Sequence, residues 1–327
     1  MKAITNFFVR VVQRFLPDAF IFAILLTVLV YLLGVLITDS GPMEMVSHWG
    51  TGFWDLLTFT MQMALVVIAG YVFANAPIIK SFLVKLSKLA KTPAQAIMLV
   101  TFVALTASLI NYGFGLVAGA LFAVQVVRQV PTADFRILVA GAYSGMLVWH
   151  GGFSGSIPLT IATPGHFLEE QMGTIPISET LFSPTNLFIV VALFITLPIF
   201  NRFLMNSTNS IDQERNRFIF PDESVATEEE TVIASTPAEK LESCVSISML
   251  IGIMGLSFIV YYFATYGFEL NINIVNFIFI FLGIILHKTP RRFLDTVTNG
   301  VKNAGGIIIQ FPFYAGIMGM VINSGLS

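Results

Sequence analysis

The sequence predicts an all-α polytopic membrane protein, and three observations carry that prediction. Of 327 residues, 56% are hydrophobic and only 11% charged, whereas a soluble domain carries about 25% charged residues. Mean hydropathy is +0.83. The missing charge is concentrated in long stretches without Asp, Glu, Lys or Arg, which at this chain length belong in lipid rather than in one very large core. A net charge of −2 leaves no electrostatic footprint for nucleic acid. The single cysteine, Cys244, excludes an intramolecular disulfide framework and a multi-cysteine metal or iron–sulfur site. It reads as a small residue at a helix start.

A helix needs about 20 apolar residues to cross a bilayer. Clean spans are read at 19–38, 56–76, 187–205, Val245–Tyr266, 272–286 (short) and 305–321. The first is longer than the roughly 7–15 apolar residues of a signal peptide, so it is expected to be retained. Two further regions are apolar but broken. The segment 94–127 is interrupted at Asn111-Tyr-Gly-Phe-Gly115, and 137–162 at His150-Gly-Gly-Phe-Ser-Gly-Ser-Ile-Pro158.

Basic residues give the orientation. Lys2, Arg10 and Arg14 place the N-terminus inside, while the segment 39–55 has acidic residues only and faces outward. Lys80, Lys85, Lys88 and Lys91 mark an inner loop, and Arg128 and Arg136 are basic again beyond the first broken region. Positive charge on both flanks makes 94–128 a re-entrant or paired hairpin with 111–115 at its tip. The acidic segment 166–179 lies outside, so 137–165 is a broken crossing. The segments 206–243 and 288–302 are expected inside, and the run Glu228-Glu-Glu230 reads as solvated linker.

A shift of 248 positions aligns Pro42 with Pro290, Gly52 with Gly300, Gln62 with Gln310 and Asn75 with Asn323. Because the charge count gives the paired spans opposite directions, the reading is an inverted-topology repeat. Three parts result: 1–205 as the first repeat with its hairpin and broken helix, 206–243 as a cytoplasmic linker, and 244–327 as a partial second repeat. A complete second repeat would need its own hairpin and broken crossing after Ser327, so the chain is expected to be a shortened product or fragment.

Non-helical backbone at membrane depth is tolerated only where protein or water satisfies it. Lone glycines such as Gly34, Gly70 and Gly119 fit close helix packing. The breaks are different, because they mix glycine with hydrogen-bonding groups. They nominate Asn111, Tyr112, Gly113, Gly115, Gly151, Gly152, Ser154, Gly155, Ser156, Thr160 and Thr163 as substrate-binding candidates. Half-helix N-termini suit a carboxylate, and unwound carbonyls suit a coupling cation. The clean spans hold no Asp or Glu, and no Lys or Arg lies at membrane depth to pair a second carboxylate. A site of backbone N–H groups, hydroxyls and amides therefore fits a singly charged anion. The 31 phenylalanines, Phe114 and Phe153 among them, are ordinary lipid-facing filler or the lining of a pocket for a short alkyl tail. His150 is the one titratable group near a break, a structural histidine or a proton-coupling group. Gln62 and Gln310 are in-membrane amides that bond between helices or join the site. No metal motif, phosphate loop or acid–base pair suggests an enzyme, and no cofactor is implied.

The stretches Arg14-Phe-Leu-Pro-Asp-Ala-Phe-Ile-Phe-Ala23, Trp49-Gly-Thr-Gly-Phe-Trp54, Phe59-Thr-Met-Gln-Met-Ala64, Ile110-Asn-Tyr-Gly-Phe-Gly115, Gly151-Gly-Phe-Ser-Gly-Ser156 and Phe182-Ser183 together resemble the bacterial short-chain fatty acid transporter family, of the acetoacetate/butyrate carrier type. The resemblance implies an inner-membrane secondary carrier of small monocarboxylates driven by H⁺ or Na⁺, alone or as a homo-oligomer. It also suggests kinship with the ion transporter superfamily. Competing expectations are a permease for a dicarboxylate or an inorganic oxyanion, a channel, and a membrane protein or fragment that does not transport.

Overall fold

The computed structural model describes residues 2–206 and 236–326, and within them the chain is helical without strands. Most of the expected linker, including the acidic run at 228–230, lies outside the described residues. The chain divides into two compact units, Met1–Met61 with Gly305–Ser327, and Gln62–Ala304.

In the first unit, α1 (Lys2–Phe15) is a helix that carries Arg14 in its last turn. Helix α2 (Ala19–Ile37) starts where Asp18 accepts the Phe20 N–H at 2.8 Å. It ends where the Thr38 hydroxyl donates to the Gly34 carbonyl at 2.7 Å. Pro42 opens the short α3 (Pro42–Gly52) at a position whose N–H would be unbonded in any case. Gly34 lets the fully buried Met45 of α3 lie on α2, since a Cβ there would strike the methionine. Gly52 packs against Gly319 and Trp49 against Gly316, so α3 meets the last turns of α15 (Pro290–Asn323) almost backbone to backbone.

The loop expected at 288–302 is therefore mostly helix. Pro290 starts α15, which continues without a break through the span, and its Pro312 is carried inside the helix. Charged side chains on the first turns did not prevent helix formation; they only marked where the apolar part begins.

The second unit is built on a helical hairpin, α6 (Pro93–Ile110) and α7 (Tyr112–Gln129). Gly115 lies on Ser108 and Gly119 on Ala104, a pairing in which one number rises as the other falls, so the arms are antiparallel. Each arm has 18 residues, about 27 Å of helix. Each is therefore close in length to the ~30 Å thickness of a hydrocarbon core. Around α6 pack α8 (Phe135–Ser144) and α11 (Pro184–Asn206). Gly141 meets Ile97, and Gly145 meets Ala104. Small residues at these crossings bring helices close enough for van der Waals packing to hold them without a hydrophobic drive.

The remaining elements are α4 (Leu57–Asn75), α5 (Pro77–Ser87), α9 (Ser156–Ile161), α10 (Glu169–Met172), α12 (Pro237–Glu242), α13 (Val245–Tyr266) and α14 (Ile272–His287). Cys244 stands at the start of α13, as expected, without a side-chain bond to the helix end. Among the described residues six helices, α2, α4, α6, α11, α13 and α15, are long and apolar enough to span a membrane. The clean spans 19–38, 56–76, 187–205, 245–266 and 305–321 all fall on such helices, while 272–286 falls on the shorter apolar α14.

A polar strut crosses the second unit. Asn201 of α11 is 5% exposed and its amide donates to Thr101 of α6 at 3.0 Å and to Ser144 of α8 at 2.9 Å. Asn201→Leu is expected to lose about 1–2 kcal/mol and to lower Tm in detergent by roughly 2–4 °C for each of those. An unchanged Tm would mean the two hydroxyls find other partners.

Candidate functional site

The hairpin turns on one residue. Asn111 is extended (φ −157°, ψ 128°), and its N–H closes α6 on the Ala107 carbonyl at 2.9 Å. Its side-chain oxygen accepts the Phe114 N–H at 2.9 Å and so opens α7. A single asparagine thus ends one helix and caps the next, using the carboxamide's preference for the N-cap position. Gly113 lies against the backbone of Val67, where an added Cβ would come within 2.8 Å of Cα. Gly70 in turn lies against Asn111 and Phe114, so α4 runs directly past the tip.

The second break begins earlier than expected. Helix α8 stops at Ser144, and Gly145–Gly151 continues as a 3₁₀ helix. Gly152 is then extended (φ −108°, ψ 179°) before the chain re-enters helix at Ser156. Pro158 falls in the first turn of α9, where a missing N–H leaves no intrahelical bond unmade. It seats the short helix instead of extending the break.

The two breaks meet and satisfy each other. The Phe153 N–H donates to the Leu109 carbonyl at 2.7 Å. The Tyr112 N–H donates to the Ser154 hydroxyl at 2.8 Å. The Trp149 indole N–H donates to the Ser154 carbonyl at 3.2 Å, and the Tyr112 ring lies on Trp149 with centroids 4.6 Å apart. The Tyr112 hydroxyl reaches the Met63 carbonyl of α4 at 3.3 Å. Asn186 of α11 donates to the carbonyls of Gly151 and Leu181 at 3.1 and 2.7 Å. Gly152 has no room for a side chain, because a Cβ would fall on the Leu109 backbone. One donor is left over: the Asn111 amide N–H₂ is fully buried and has no hydrogen-bond partner.

Of the candidates, the junction brings together Asn111, Tyr112, Gly113, Gly152 and Ser154. Gly115 sits one turn along α7 on Ser108, and Gly151 and Gly155 shape the second break. Ser156, Thr160 and Thr163 run away from it along α9 and the turn that follows. The Thr160 hydroxyl donates to the Ser156 carbonyl, and that of Thr163 to the Leu159 carbonyl. Thr163 also accepts the Ile272 N–H at 3.1 Å at the start of α14. His150 is exposed, with its ring stacked on Trp149 at 4.1 Å. Gln62 bonds between helices: its side-chain amide donates to Asn273 at 2.8 Å, and its backbone carbonyl accepts from Asn276 at 2.9 Å. Gln310 belongs to the other compact unit. Among the described residues no three His, Cys, Asp or Glu gather as a metal site. Trp149 and Asn186 went unnoticed in the sequence, since one looks like membrane aromatic and the other like a helix-start residue.

Across residues 1–327 the chain matches the family model described as short chain fatty acid transporter. The chain belongs to that family. A relative from Escherichia coli is 42% identical over 99% of this chain and 73% of its own length. Another, from Haemophilus influenzae, is 42% identical over 100% of this chain and 74% of its own. Both are named, provisionally, as short-chain fatty acid transporters. No solved structure matches the chain. With six apolar helices, this member of the short-chain fatty acid transporter family is a multi-pass protein of the bacterial inner membrane.

Ser154→Ala should leave the buried Tyr112 N–H unpaired, at about 1–3 kcal/mol, while Ser154→Thr keeps the hydroxyl. Thermal unfolding in detergent separates the two. Gly152→Ala should abolish monodisperse protein in gel filtration, whereas Gly41→Ala, where a Cβ meets nothing within 4 Å, should not.

Proposed function

We propose that this chain is a secondary active transporter of small monocarboxylates such as acetoacetate or butyrate, driven by H⁺ or Na⁺, with the carboxylate bound where the two breaks meet. The observation that carries this reading is the unpaired Asn111 amide where two interrupted segments lie against each other. A buried donor without a partner is rare in proteins and asks for a ligand, a water or a rearrangement. The polar groups of the junction are amides, hydroxyls, an indole and backbone N–H and C=O groups, with no Lys or Arg among them. Such a set balances a single negative charge better than two, which argues against a dicarboxylate. His150, stacked beside the second break, is the candidate for proton coupling.

An internal repeat of inverted topology, which the 248-residue shift suggests, would fit the same reading. The 248-residue shift carries Leu57–Asn75 onto 305–323, the last part of α15, and Pro42–Gly52 onto 290–300, its first part. It also carries Ala19–Ile37 onto 267–285, overlapping α14. The outer limits agree at Pro290 and Asn323, while α15 runs unbroken where α3 and α4 are separate helices, and α14 begins five residues after the shifted start of α2 (267 against Ile272).

Cells expressing the full-length protein should take up butyrate or acetoacetate faster than empty cells, and excess succinate should not compete. No difference for any acid of two to six carbons sinks the proposal. Asn111→Leu should reduce kcat/KM by about 10-fold or more if the amide holds the carboxylate, and equal rates would remove it from the site. His150→Gln should weaken the response of uptake to an imposed proton gradient. An unaltered response would leave the coupling to another group.

A further inference from the structure

A cavity of about 630 Å³ lies in the second unit, and none of its lining residues belongs to the junction of the two breaks. Three walls enclose it: the end of the second broken segment with the turn at Thr174–Ile177, the last turns of α13, and the Glu269–Asn271 link into α14. Hydrogen bonds fix these walls on one another. The Ile175 N–H donates to the Ile161 carbonyl at 2.8 Å, and the Ile272 N–H to the Thr163 hydroxyl at 3.1 Å. The Asn271 amide donates to the Tyr262 hydroxyl at 3.0 Å. The cavity is thus built by the fold and not left by loose packing.

Its lining is aromatic and acidic. Tyr261, Tyr262, Tyr266 and Glu269 all line it, and no Lys, Arg or His does. Phe258, Tyr262 and Tyr266 follow one another at four-residue spacing on one face of α13, with ring centroids 6.4 and 5.1 Å apart along the row. Glu269 is exposed and makes no hydrogen bond or ion pair with the described residues. The segment 166–179, which supplies the turn, adds Glu169, Glu170 and Glu179 and no Lys or Arg. A negative field of this kind repels a carboxylate and draws a cation. A hard divalent cation is poorly served, because it gathers about six oxygens or more and no three His, Cys, Asp or Glu come together among the described residues. Aromatic rings beside a carboxylate are instead the chemistry that holds an organic ammonium ion. We infer that this cavity binds a small organic ammonium cation, with Glu269 pairing its charge and the tyrosine rings covering its alkyl groups. The volume falls within the roughly 300–1,000 Å³ of small-molecule sites.

Thermal unfolding of the purified full-length protein, titrated with tetramethylammonium or choline chloride against sodium chloride of equal ionic strength, tests the inference. At least one of the two ammonium ions should raise Tm saturably beyond the salt control. Glu269→Gln, which disturbs no bond of the described residues, should keep the ligand-free Tm and weaken that binding by about 10-fold or more. Tyr261→Leu, at an exposed ring, should weaken it by roughly 2- to 10-fold. The inference is overturned if neither ion shifts Tm more than sodium chloride does. It is equally overturned if the shift survives undiminished in both variants, which would place the bound cation elsewhere.

Discussion

A peptide group released from its helix inside lipid has no water to turn to, and the arrangement of the second unit follows from that constraint. Two interrupted segments are affordable here because each supplies what the other lacks. The first frees the Leu109 carbonyl, and the second brings the Phe153 N–H to it. The first leaves the Tyr112 N–H at a new helix start, and the second offers the Ser154 hydroxyl. Neither break would be stable facing lipid alone.

Close approach makes that exchange feasible. Bonds of 2.7 and 2.8 Å between segments require the backbones to touch, and side chains would hold them apart. Hence Gly152 on Leu109, Gly113 on Val67, and Gly70 on the hairpin tip. Behind the junction, small residues on α6 and the Asn201 strut fix the helices that carry the two breaks. The packing is thus subordinate to the hydrogen bonding, and the glycines mark where the two meet.

The membrane spans and both breaks were legible in the sequence, because charge depletion and Asn/Gly/Ser clusters are local signals. What the breaks do to each other was not. Nothing near Asn111 announces Ser154, whose bond to Tyr112 spans 42 positions. The start of the second break was hidden as well, since Met146, Leu147, Val148 and Trp149 read as ordinary helix although the backbone tightens there into a 3₁₀ turn. Thr160 and Thr163 looked like site hydroxyls, yet both donate to carbonyls four residues back, a local bond that sequence alone leaves undecided. The long α15 was cut short in the reading because Lys288 to Lys302 resembled a loop; a helix beginning at Pro290 tolerates charge wherever it stands clear of lipid.

Ser154 makes two contacts at once: its hydroxyl takes the Tyr112 N–H and its carbonyl takes the Trp149 indole, while the N–H of Phe153 just before it holds Leu109. Any oxygen that arrives to take the Tyr112 N–H must first dislodge that hydroxyl. Occupation of this place is therefore a substitution and not the filling of a gap. The incoming group and the serine compete for one proton, and losing that contest releases one edge of the second broken segment. A ligand that wins it loosens the seam between the two broken segments.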